Sequence, residues 1–303
     1  MSLKTAAAAG GAALLAAAFF LRSEFEKKKI KTEYYSLRTD KLRGKTRLVF
    51  ISDLHSHVFG KDNEELVRRI KELSPDAVLI GGDMMTCGKK TEEPPRMETV
   101  NRLLDRLFEE GFEVFYAEGN HETRMFERFA GTYEKWKLKY NDSINPKMHY
   151  LDDAYAFIRL PETGERIRVF GITLGMEYYE RQKPGFGNRH EMPEDYISGK
   201  IGEKRQDEFT LLMMHSPLYM REAHKWGADL VLSGHFHGGT VRIPFAGGLM
   251  TPQLQFFVRE CAGLHRLGDT VMIVNRGLGT HSIKIRFNDL PEISCIDIVG
   301  EKK

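Results

Sequence analysis

Five short apolar runs, each ending on a side chain that can hold a metal ion, limit the folds open to this chain more than any other feature. Residues 47–52 (RLVFIS) lead into Asp53. Residues 77–80 lead into Gly81-Gly82-Asp83, and residues 113–117 into Gly119-Asn120-His121. Residues 210–214 end at His215, and residues 230–232 at Gly234-His235. Runs of this length and composition read as β-strands. In layered α/β sheets, sites are built at the carboxyl ends of the strands. Any one of these endings is cheap to find by chance, but all five together are not.

Read as motifs, the endings are Asp53-Leu54-His55, Gly82-Asp83, Gly119-Asn120-His121-Glu122, His215 and Gly234-His235-Phe236-His237. They supply Asp53, His55, Asp83, Asn120, His215, His235 and His237 as candidate metal ligands, with His121 left beside them. The chain has 11 His, so each motif is weak alone; a lone His is more often a hydrogen-bonded structural residue. Oxygen and imidazole donors without thiolate suit Mn, Fe or Zn ions. A carboxylate shared by two such cations makes the two-metal arrangement that serves in-line displacement at phosphorus.

The five motifs resemble the D-x-H, G-D, G-N-H-[D/E], H and G-H-x-H pattern of the calcineurin-like metallophosphoesterases. Residues 226–239 (WGADLVLSGHFHGG), Arg242-Ile243-Pro244, Gly277-Leu278-Gly279 and Leu290-Pro291-Glu292-Ile293 look like the membrane-anchored bacterial branch of that family. The resemblance runs from about residue 46 to residue 299. Phe236 stands where that branch often has Thr, and Thr240 where it often has Gln. Residues 256–260 lack the Pro and Tyr often seen there. These departures bear on substrate preference rather than on metal binding.

The resemblance implies a hydrolase of phosphoric esters that uses two divalent transition-metal ions, Mn, Fe or Zn. It implies that Asp53, His55 and His237 bind the first ion, that Asn120, His215 and His235 bind the second, and that Asp83 bridges both. His121 follows a ligand directly and is expected as the general acid that protonates the leaving group. Its alternative role is to orient a ligand, the role expected of Glu122. His57 is read as an exposed loop residue, and His281 is given no chemistry. The expected substrate is a phosphodiester or pyrophosphate, lipid-linked or a nucleotide sugar, met at a membrane surface. A phosphomonoesterase, including a protein phosphatase, is the second reading. A non-catalytic scaffold would have lost ligands, and none is lost here.

Composition excludes other classes. The 45 basic and 43 acidic residues leave a net charge of +2, so no nucleic-acid partner is expected. Cys87, Cys261 and Cys295 are too far apart for a zinc or disulfide pattern and read as buried or incidental thiols. Nothing in the sequence specifies an oligomeric state.

The amino-terminal region is distinct. Residues 6–21 are 16 uninterrupted apolar or small residues. As a helix they span roughly 24 Å, short of the ~30 Å hydrocarbon core, but with residues 3–5 a single anchoring span is feasible. Arg22 and Lys27-Lys28-Lys29 behind it would place the rest of the chain in the cytoplasm, whereas the resemblance suggests the outer face. The expected organisation is a hydrophobic anchor over 1–22, a polar stalk over 23–45 and a catalytic domain over 46–303.

Periodicity predicts helices over 62–73, from Pro94/Pro95 to Gly111, and from Glu122 to about 140. Residues 155–160 and 166–172 alternate like antiparallel strands around a turn. Residues 176–203 read as a flap near the site or a surface insertion. Residues 271–274, 283–287 and 293–299 are β-like. Early strand–helix alternation followed by extra strands fits two β-sheets between helices. The resemblance implies the same α/β class: a four-layer α/β/β/α sandwich with two mixed β-sheets.

Overall fold

The computed structural model describes residues 3–140, 143–180, 189–205, 207–243, 245–253, 255–280 and 284–301. Two six-stranded sheets form its centre. The first runs in the order β1 (Lys31–Thr39), β14 (Glu292–Gly300), β2 (Lys45–Ile51), β3 (Ala77–Ile80), β4 (Val114–Ala117) and β5 (Met148–Leu151). The second runs β12 (Gly263–Leu267), β13 (Thr270–Val274), β9 (Leu230–Ser233), β8 (Thr210–Met214), β7 (Arg166–Ile172) and β6 (Ala154–Arg159). A small hairpin pairs β10 (Arg242–Ile243) with β11 (Gly247–Gly248).

Both sheets are mixed. β2 to β5 are parallel, and so are β7, β8, β9 and β13. Antiparallel strands stand elsewhere: β14 against β2, β12 against β13, and β6 against β7.

The apolar runs are continuous because β3, β4, β8, β9 and the end of β2 are buried on both faces. Successive side chains point opposite ways, so Leu48 and Phe50 of β2 face the other sheet while Val49 and Ile51 face the helices. In the second sheet Leu211 and Met213 of β8 face inward, and Leu212 and Met214 face outward. Three apolar layers result. One lies between the sheets. One lies between the first sheet and α2 (Glu64–Leu73), α3 (Glu98–Glu109) and α4 (Asn120–Lys139). The third lies under α5 (Tyr196–Ile201) and α6 (Met220–Trp226). This is the expected four-layer α/β/β/α sandwich.

Several expectations need correction. The amino-terminal helix α1 (Leu3–Glu26) forms, but among the described residues no helix is long and apolar enough to cross a membrane. Gly10, Gly11 and many Ala lower the apolar character of α1, and its last turns are polar and docked on the domain. Ser23 and Glu26 are buried there. Ser23 Oγ accepts the backbone N–H of Arg286 at 3.0 Å, and Glu26 accepts that of Asp289 at 3.2 Å. Phe19 stacks on Phe287.

The segment expected as a polar stalk contains β1, which pairs in parallel with β14 over nine residues, Lys31↔Glu292 to Thr39↔Gly300. Its polar residues fit an edge strand. Residues 176–203, expected as a flap near the site or a surface insertion, pack onto the domain where described, with Tyr178, Tyr179, Met192 and Ile197 buried; residues 181–188 lie outside the described residues. Of the β-like stretch 283–287, Ile283 lies outside them and Phe287 makes only a bridge to Val241. His281 and Pro244 also lie outside the described residues.

Candidate metal centre

The carboxyl ends of β2, β3, β4, β8 and β9 meet at one place, and the side chains singled out by the motifs converge there. Asp53, His55, Asp83, Asn120, His121, His215 and His235 are buried, and His237 is half-buried. Among the described residues, three groups of candidate ligand atoms lie within metal-binding reach of one another: Asp53, His55 and His237; His55, Asp83 and His121; and Asp83, His215 and His235.

Two carboxylate oxygens organise the cluster. Asp83 Oδ2 lies 3.2 Å from His215 Nε2, 3.8 Å from His55 Nε2 and 3.9 Å from His121 Nε2. Asp53 Oδ1 lies 3.4 Å from His237 Nε2, 3.8 Å from His215 Nε2 and 3.9 Å from His55 Nε2. His55 Nε2 and His237 Nε2 stand 3.1 Å apart, as two nitrogens sharing one cation would.

The backbone enforces this crowding. Gly234 lets the β9 loop reach Asp53: a Cβ there would stand 2.2 Å from Asp53 Oδ2. The His235 N–H then donates to both Asp53 oxygens, at 3.1 and 3.0 Å. Gly82, with φ +85°, lets the β3 loop touch the β4 loop, where a Cβ would stand 2.2 Å from the Gly119 nitrogen. His121 N–H donates to Asp83 Oδ1 at 2.8 Å. The side chains themselves sit on strained backbone: Asp53, His55, Asp83, His235 and His237 have φ of 52°, 47°, 55°, 68° and 47°. Left-handed conformations at non-glycine residues cost on the order of 1 kcal/mol or more each and gather at functional sites.

Surrounding groups fix which nitrogen faces inward. His215 Nδ1 lies 2.7 Å from the Gly81 carbonyl and His237 Nδ1 3.2 Å from the Gly279 carbonyl. Each Nδ1–H donates outward, which turns an Nε2 lone pair toward the cluster. Gly279 is itself pinned by Arg286, a fully buried guanidinium that donates to the carbonyls of Arg276, Gly277 and Gly279 at 2.8 to 2.9 Å. Glu122 holds the β3 loop. Its carboxylate accepts the N–H groups of Asp83, Met84 and Gly119 and the Tyr116 hydroxyl, at 2.7, 2.9, 3.1 and 2.7 Å.

The electrostatics are those of a cation-seeking cluster. Burial raises the Asp53 pKa to about 6, with Asp83 adding to the rise. Burial acts the same way on Asp83, but His215, His121 and His55 outweigh it and hold that carboxyl well below its usual range. Burial alone would lower His215; the Asp83 and Asp53 carboxylates raise it to about 10. Burial and the neighbouring His215 push His235 down.

The residues fit a metal. Among the described residues, the buried amide oxygen of Asn120 has no hydrogen-bond partner, a cost of about 1–3 kcal/mol unless an ion satisfies it. The donors are oxygen and imidazole only. Sequence reasoning did not find Arg286, Gln253 or Tyr179, whose ring lies against His235; no motif marks them.

The sequence profile of the calcineurin-like phosphoesterases matches residues 46–239. The chain belongs to the calcineurin-like phosphoesterase family. The family is one of phosphoesterases, and the cluster supplies candidate metal ligands. Among similar proteins, an uncharacterized metallophosphoesterase of Aquifex aeolicus (strain VF5) is 26% identical over 277 residues, covering 90% of this chain and 93% of its own. The uncharacterized metallophosphoesterase YkuE of Bacillus subtilis (strain 168) is 37% identical over 104 residues, 34% of this chain and 35% of its own. A Danio rerio protein named a transmembrane protein with metallophosphoesterase domain is 28% identical over 258 residues, 82% of this chain and 52% of its own. The chain therefore spans about a third of the Bacillus relative and half of the Danio one.

Proposed function

We propose that this phosphoesterase holds two divalent ions and cleaves a phosphodiester or pyrophosphate bond. Asp53, His55 and His237 would hold one ion, and Asn120, His215 and His235 the other, with Asp83 serving both. The observation that carries this reading is the position of Asp83. It belongs to two of the candidate groups, and its Oδ2 is within 4 Å of His55 on one side and His215 on the other. Mn, Fe and Zn suit the donor set. Bound divalent ions would supply charge that offsets the one developing on the phosphate and would acidify an attacking water.

The remaining steps belong to side chains. Asp53 and Asp83 bring the negative charge that two dications require. His121 differs from its neighbours: its Nδ1 accepts the Cys87 N–H at 2.8 Å, so the neutral ring carries its proton on Nε2, beside Asp83. That Nε2–H would donate a hydrogen bond to the leaving-group oxygen and stabilise the charge that gathers there as the bond to phosphorus breaks.

A membrane-surface setting has two supports. Leu14, Leu15, Phe20 and Leu21 of α1 are exposed, at 56–75%, and the Danio relative's name places it in a membrane. The deciding experiment is a panel of monoester, diester and pyrophosphate substrates assayed with Mn²⁺-loaded protein. Diester or pyrophosphate turnover should dominate. A preference for monoesters would make the enzyme a phosphomonoesterase instead.

A further inference from the structure

The ring of His235 is anchored differently from those of His215 and His237. Their outward nitrogen is Nδ1, tied to a main-chain carbonyl. At His235 the tied nitrogen is Nε2, and the partner is a side chain: the Gln253 amide, placed with its nitrogen 2.6 Å away. The Gln253 side chain is buried, as are Thr251 and Gln255 beside it. The loop that carries it is built for position. Thr251 N–H donates to the Gln255 carbonyl at 2.9 Å, and Gln255 N–H donates to Thr251 Oγ1 at 3.2 Å. Leu249 N–H and Met250 N–H donate to the carbonyls of Val241 and Gly239, at 2.8 and 3.2 Å. The loop is thus laced to the segment that follows His237.

A glutamine amide can present either its oxygen or its NH2 by a half-turn about its last bond. With NH2 against Nε2, the neutral ring would carry its proton on Nδ1, and neither nitrogen would have a lone pair left for a cation. With the oxygen against Nε2, the ring proton sits on Nε2 and the Nδ1 lone pair is left for the group that His235 forms with Asp83 and His215. Only the second arrangement lets His235 serve the metal group it joins.

We infer that Gln253 is a positioning residue whose amide oxygen accepts the Nε2 proton of His235, fixing the tautomer that presents Nδ1 to the second metal ion. This rests on the two-metal reading above. The test compares wild type, Gln253→Leu and Gln253→Glu by calorimetric Zn²⁺ titration and by ¹⁵N imidazole NMR of the Zn²⁺-loaded proteins.

Wild type should bind two ions and show a protonated Nε2 at His235. Gln253→Leu should keep the first ion at unchanged affinity and bind the second about 10–100-fold more weakly, the usual effect of losing such a partner. Gln253→Glu should restore wild-type affinity, because a carboxylate can only accept. Second-ion affinity within twofold of wild type in Gln253→Leu would overturn the inference. So would a Gln253→Glu variant with a weakened second ion, since that outcome means the amide donates. If Gln253→Leu fails to fold, the Glu variant and the wild-type NMR still decide. Wild-type protein that binds fewer than two ions would overturn the two-metal reading itself.

Discussion

Cys87 donates its backbone N–H to Nδ1 of His121 across 2.8 Å, and this one bond gives His121 the opposite polarity from His215 and His237. Those rings turn lone pairs inward; His121 turns a proton inward. A residue that follows Asn120 directly can therefore share the pocket without competing for the ion.

His121→Ala should keep the wild-type metal content and lose about 10²–10³-fold in rate on alkyl esters, the worth of a positioned hydrogen-bond donor to the developing oxyanion. The loss should shrink for nitrophenyl esters, whose leaving group needs no proton. Elemental analysis with a leaving-group series checks both parts. Uniform loss across the series would assign His121 another role.

Asp83→Ala should be the most damaging single change in the cluster. Its Oδ2 lies within 4 Å of both His55 and His215, so in the proposed two-ion arrangement both ions would lose a ligand. Metal content measured after loading should fall below one ion per chain, while His237→Ala should retain at least one.

Glu122→Gln should destabilise the protein by about 2–4 kcal/mol, because an amide NH2 must face at least one of the buried donors that now point at the carboxylate. Thermal unfolding of the metal-free protein measures it. Metal affinity should fall too, since the β3 loop carrying Asp83 loses its anchor.

Glu118 should shape the pH dependence of stability. Burial, with Asp152 adding to it, pushes this carboxyl up to about 7; the hydroxyls of Tyr133 and Tyr150 both donate to it. Between pH 4.5 and 7 the folded state keeps a proton that the unfolded state has released. Stability therefore falls as pH rises through that window, by up to about 3 kcal/mol. Denaturant melts of Glu118→Gln should show this slope flattened.

Deleting residues 1–28 should leave the sheets and metal content intact, because β1 begins at Lys31. Full-length protein should associate with anionic vesicles and the shortened form should not. Equal behaviour in co-sedimentation would remove α1 from membrane attachment. Deleting through residue 40 should cause aggregation, because it bares the edge of β14.

The sequence was most legible where burial was complete. Strands β3 and β4 are apolar throughout and stop at their motifs, so the runs revealed both the sheet and the place where it ends. β1 was illegible for the opposite reason: KTEYYSLRT exposes much of its surface and reads as polar linker. Asn63 stands at the N-cap position of α2, yet its side chain accepts the Phe59 N–H, four residues back. The left-handed backbone of Asp53, His55, Asp83, His235 and His237 carries no local signal beyond the residue types that tolerate it. Gln253 and Arg286 were invisible because their partners lie far away in the chain.

The position of β14 has a consequence for how the protein comes into being. Among the described residues, β1 meets the first sheet only through β14, which also separates it from β2. During synthesis, residues 31–39 must wait, unpaired, while more than 250 residues are added, until residues 292–300 emerge. A ribosome stalled short of that point holds a chain whose central strands can already gather around the ligands but whose sheet stays open along β2. Completion of the last strand is thus the event that closes the molecule, and nascent chains of increasing length should turn protease-resistant in one late step.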